Sequence, residues 1–193
     1  VSRDWSSDVC SSDLAALSTA QLAAFTTAQL VTMETDDVAA ITTDQITALK
    51  TSQVAALTSD QVVALTTGQL ATLKTAQVAA ITTANLAAIT TGQITAFTTA
   101  QIAAMTTAQI VALSSSQLRS LSAEQIGALT TQQVANIEVG DLASLSTAQL
   151  AAWSGAQIQA LTTSQIQGML GTQFAGMSIE QVKALTTEQV GAM

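Results

Sequence analysis

Few residues in this chain are of a type that does chemistry, and their spacing suits chemistry poorly. There is no His and one Cys, Cys10, so no imidazole base and no zinc ligand set can be assembled. Ser and Thr are abundant, but a hydroxyl nucleophile needs a base beside it, and the sequence offers none. The densest acidic stretch holds Glu34, Asp36, Asp37 and Asp44, whose carboxylates could hold Ca²⁺. They lack the alternating acids and the glycine of a calcium loop, and read better as acids at helix starts. Nothing pairs two of them for hydrolysis. Trp153, Phe25 and Phe97 could stack against a sugar. All three occupy one repeat position that is otherwise filled by aliphatic residues, which reads as core filling. The expectation is a protein that is not an enzyme, with no catalytic residue, no cofactor-binding residue and no metal ligand.

The element that sets all these positions is an octapeptide. Twenty-two copies run from Leu17 to Ala192 without insertion or deletion, and Met193 opens the next. A fixed short period marks a repeat array. Counting from Leu17, positions one and six are apolar in every copy. Position two is Ser or Thr in seventeen copies, position five is Gln in nineteen, and position eight is small or short. Asp37, Asn85 and Asp141 replace the Gln.

This pattern reads as a helix start repeated every eight residues. Ser or Thr at position two is the N-cap, and Gln three residues later is its reciprocal partner in a capping box. The apolar residues at positions one and six flank the cap as a hydrophobic staple. Leu57-Thr58-Ser59-Asp60-Gln61-Val62 carries every feature. All ten acids after residue 14 fall at positions two, four or five, in the first turn, where the helix dipole favours negative charge. The helix is expected from position three to about position one of the next octad. Lys50 and Lys74 replace the cap hydroxyl, so the cap there should be weaker or shift to Thr51 and Thr75. Met169–Gly176 lacks the cap and holds two glycines, which marks it as the first place to open.

The predicted fold is all-α: a solenoid of very short helices, one per octad, since a helix of one or two turns is marginal without neighbours. A β-solenoid is the alternative, because Thr, Val and Ile favour strands. Positions one and six have opposite parity, however, which would put apolar residues on both faces of a strand. One continuous helix would rotate its apolar stripe by about 80° per octad and keep no stable face. Disorder is disfavoured by the regular Val, Ile and Leu content.

Val1–Leu14 does not follow the repeat. One back-translation of Asp4–Leu14 resembles a sequencing-library adapter read in frame, so residues 1–14 are expected to be a non-native, disordered leader. Residues 15–193 are then one octapeptide-repeat solenoid, truncated at both ends. Composition narrows the remaining possibilities. Only 9% of residues are charged, and the net charge of −8 argues against nucleic acid and anionic membranes. Thr and Gln interrupt every apolar run, so no membrane insertion is expected.

The unit Leu185-Thr-Thr-Glu-Gln-Val-Gly-Ala192, shared from Leu17 onward, resembles the Thr/Gln/Ala-rich octapeptide arrays of long bacterial surface or secreted proteins, often described as adhesin-like. The resemblance implies a bacterial cell-surface or secreted location and a non-enzymatic spacer role. It implies partners among neighbouring repeats and flanking domains of the same chain. An adhesive face for host or cell-surface protein or glycan is the alternative, and an ice-binding Thr array a further one.

Overall fold

The computed structural model describes residues 14–193. Apart from Leu14, the expected leader lies outside the described residues. Leu14 itself is buried and helical, and its carbonyl accepts a hydrogen bond from Gln45 Nε2. It therefore stands where position six of an octad would.

The architecture is all-α. Twenty-two helices follow one another between Thr19 and Gly191, one in each octad, and no strand occurs among the described residues. The β-solenoid and the continuous helix are thereby excluded. Each helix starts at position three, as at Thr43–Ala48, Ser59–Ala64 and Thr163–Gly168. The helices are four to six residues long and end at position six, seven or eight, earlier than the sequence suggests. The residue at position one must leave the helix to lead into the next cap. Leu65, for instance, is extended (φ −60°, ψ 134°), and Thr66 after it is extended as well (φ −71°, ψ 158°). Where a helix runs to position eight, two extended residues follow it and turn the chain, as also at Leu49–Lys50 and Leu145–Ser146. No described residue has positive φ, so the turns need no glycine.

The described residues form two compact units, one ending at Phe97 and the other spanning Thr98–Met193. In the first unit Thr19–Ala23 packs against Thr43–Ala48, Thr35–Ala40 against Ser59–Ala64, and Thr51–Ala56 against Thr75–Ala80. In the second, Ala123–Gly127 packs against Thr147–Ala151, Val139–Ser144 against Thr163–Gly168, and Gly155–Gln159 against Ile179–Ala184. In both, a helix meets the one three octads later, so each unit is a solenoid whose layers recur between three and four octads apart.

Positions one and six fill the core. Position six is buried in every octad from Leu22 to Ile166, and position one from Ile41 to Met169. Two buried aliphatic side chains contribute roughly 3–6 kcal/mol per octad, which only stacked neighbours can supply. Position eight is small because position three of the octad three copies earlier lies over it. A Cβ on Gly168 would overlap Val139 Cγ1, and one on Gly176 would lie 2.9 Å from Thr147 Cβ.

Candidate functional site

The capping geometry follows the sequence pattern closely. In Ser59–Ala64 the Gln61 N–H donates to Thr58 Oγ1 at 3.2 Å, and the Thr58 N–H donates back to Gln61 Oε1 at 3.0 Å. The same reciprocal pair recurs at Thr42–Gln45, Thr106–Gln109, Thr162–Gln165 and Thr186–Gln189. Where the hydroxyl is missing but the Gln remains, only half of the box survives. At Lys50 the backbone N–H still donates to Gln53 Oε1 (2.7 Å), while the Gln53 N–H turns to the Lys50 carbonyl (3.0 Å). Lys74 and Leu170 behave alike. The cap is weaker at these sites but keeps its register; it does not shift to Thr51 or Thr75.

The glutamine has a second task, which the sequence reading missed. While Oε1 caps its own helix, Nε2 donates to backbone carbonyls of the preceding layer. Gln61 Nε2 reaches Leu30 O (2.7 Å) and Met33 O (2.9 Å), 31 and 28 residues earlier. Gln77 reaches Ile46 O and Leu49 O, each at 2.9 Å. In the second unit Gln165 reaches Val134 O and Ile137 O, and Gln189 reaches Ile158 O and Leu161 O. The position-one carbonyl points out of its helix because the chain breaks there, and the amide of a later layer satisfies it. A buried carbonyl left unpaired would cost about 1–3 kcal/mol. From Gln45 to Gln189 the row is consequently buried, Gln61 and Gln77 each at 2% exposure.

Two exceptions within the row show how specific this contact is. Asn85 is one methylene shorter than Gln; its Nδ2 still reaches Leu57 O (2.7 Å), but its Oδ1 turns to Ser59 Oγ (2.9 Å). Asp141 accepts a hydrogen bond from Ser115 Oγ. Both serines lie 26 residues upstream of their partners. Ser59 and Ser115 are the only serines at position three in the whole array. The signal was therefore present in the sequence, as a rare residue at a fixed distance from a rare replacement.

The other candidate residues are dispersed or buried. Glu34 is an N-cap without a side-chain cap bond, Asp36 and Asp37 sit in the following first turn, and Asp44 sits in the first turn of the next helix. Among the described residues no three of His, Cys, Asp and Glu come together as a metal site. Trp153 and Phe97 are buried, and Trp153 Nε1 donates to Ile126 O (2.9 Å), so neither offers a stacking platform. Phe25 is half-buried. Glu124 is exposed; the Ser122 hydroxyl, then its own backbone amide, hold its carboxyl below the usual range.

A shallow cavity of about 490 Å³ opens in the second unit beside Arg119, Leu121, Ser144, Ser146 and Gln149. Gln149 is committed to the Leu118, Arg119 and Leu121 carbonyls, Ser146 to Gln149, and Ser144 to the Asp141 carbonyl. The fold thus uses these polar groups itself, and the guanidinium of Arg119 is the one charged group in the lining. No described helix is long and apolar enough to cross a membrane.

A family model described as the ALTTAQ repeat matches residues 30–67, 62–99, 78–115, 102–136 and 134–170. These matches run without a gap over residues 30–170. No curated protein matches the chain.

Proposed function

Because the chain belongs to the ALTTAQ repeat family and forms a regular helical repeat scaffold, we propose that it is a structural spacer within a larger, surface-associated or secreted bacterial protein. The observation that carries this reading is the destination of the side chains. The most regular polar residue, the Gln of position five, is consumed in joining layers, and the large apolar residues are consumed in the core. What remains outside is mostly Ala, Thr and Ser at positions three, four and seven, with Arg119 and Lys183 as the only basic residues there. Recognition surfaces concentrate aromatic and charged anchors, and this surface does not.

A direct test places the array between a surface anchor and a reporter domain. The reporter's reach is then measured as octads are added in groups or removed. Reach should scale with octad number and survive replacement of exposed Ala76, Ala84 and Ala100 by Lys. Reach that ignores octad number would contradict the spacer role.

The Arg119 cavity favours a second reading, an adhesive face for an acidic protein or glycan. On that reading Arg119→Ala would abolish surface adhesion while leaving reach unchanged. The ice-binding alternative draws less support, since position-two hydroxyls are occupied as caps.

A further inference from the structure

One interior octad of the second unit lacks all three side-chain bonds that the repeat otherwise makes: the cap, the return bond to the cap N–H, and the bond between layers. Ile137–Ser144 has Glu138 at the cap position with no side-chain cap bond, and Asp141 makes no return bond to the Glu138 N–H. Across layers the octads on either side send Gln133 Nε2 to Met105 O (2.6 Å) and Gln149 Nε2 to Leu121 O (2.9 Å). The corresponding carbonyl between them, Leu113 O, receives no donor among the described residues. A carboxylate only accepts, so Asp141 cannot supply one. Asn85 shows what is missing. It has the same length and a serine 26 residues before it, as Asp141 has, yet its Nδ2 reaches Leu57 O at 2.7 Å. Leu113 is buried at 2% exposure, and a buried carbonyl without a partner weakens the contact it faces.

Other contacts hold this octad in place. Ser115 Oγ donates to the Asp141 carboxylate, and Ser144 Oγ donates to the Asp141 carbonyl at 2.6 Å. Val139 fills the place beside Gly168 that a Cβ there would need. At Met169–Gly176 the defect is only partial: Leu170 removes a cap hydroxyl, but Gln173 Nε2 still reaches Leu142 O and Leu145 O, each at 2.9 Å. Glu34 and Asp37 repeat the pair of replacements, but the residue 28 before Asp37 lies outside the described residues.

We propose that Ile137–Ser144 is a built-in seam of the second unit, where one layer lifts from the Leu113 layer beneath it before the flanking octads do. In a repeat array each copy is held by its neighbours alone, so a deficit at one octad is not shared out along the chain. Local opening begins where stacking contacts are fewest. Under load this is the first place to yield, a property that goes beyond a spacer's reach and does not depend on it.

The test is backbone amide hydrogen exchange of the full 193-residue chain by NMR, comparing like positions of neighbouring octads. The Leu142 amide should exchange about tenfold faster, or more, than the Val134 and Leu150 amides, the equivalent of roughly one unpaired carbonyl. Asp141→Asn turns one acceptor into a donor of the same length, and should bring the Leu142 rate to within about threefold of its neighbours. Asp141→Gln restores the return bond as well and should do at least as much. Ser115→Ala strips the carboxylate of its partner and should speed exchange further. Glu138→Thr supplies only the cap hydroxyl and should leave most of the excess. Equal rates at the three octads of the wild type would overturn the proposal, and so would an unchanged Leu142 rate in Asp141→Asn. If Glu138→Thr alone removed the excess, the octad would be merely poorly capped, which would overturn it as well.

Discussion

Gln61 and Gln21 occupy the same position of nearly the same octapeptide, yet the structure uses them differently. Gln21 caps its own helix and stays exposed. Gln61 caps its own helix and also bonds two carbonyls of the previous layer, at 2% exposure. Helix starts in this array are therefore local events, whereas the buried polar contact is created by stacking. One residue type specifies both, which explains how a chain with so few charges and aromatics holds a regular register.

The largest expected effect sharpens this contrast directly. Gln61→Leu leaves the Leu30 and Met33 carbonyls and the Thr58 N–H without their partner, and should cost on the order of 3 kcal/mol in denaturant unfolding. Gln21→Leu loses only the cap and should cost about 1 kcal/mol. Equal costs would break the comparison. Apolar packing supplies the next test. Val62→Ala, in the core, should cost about 2 kcal/mol, and Val190→Ala, at the open end, no more than about 0.5 kcal/mol.

Caps alone should matter less. Lys50→Thr restores the missing hydroxyl at an N-cap whose amide partner, Gln53, is already in place, and should gain about 1 kcal/mol by the same unfolding measurement. The smallest effect concerns Glu124, whose carboxyl is held low chiefly by Ser122. A folded-state value below the unfolded one adds stability above the unfolded value, and that stability is lost as pH falls through the folded value. Glu124→Gln should thus leave stability unchanged in acid and lower it slightly near neutrality, as read from unfolding curves across pH.

Much of this fold is legible in the octapeptide. Thr58 followed by Gln61 marks the helix start, and Leu57 with Val62 marks the buried pair, because capping and staple contacts lie within a few residues. The helix end was placed too late, since the conformation of Leu65 answers to the cap that follows it rather than to its own octad. The interlayer bonds were not legible. Nothing within eight residues of Gln61 indicates that Leu30 or Met33 lies beside it, and a perfect repeat hides its own stacking distance. Only imperfections reveal that distance: Ser59 with Asn85, and Ser115 with Asp141, each state it as 26 residues.

The most direct test of the central claim is side-chain amide hydrogen exchange by NMR, resolved for individual glutamines. The account predicts slow exchange at the Nε2 protons of interior residues such as Gln61 and Gln165, and exchange near the free-amide rate at Gln21 and Gln29. Rapid exchange at all of them would show that the position-five amides do not join the layers, and would contradict the account.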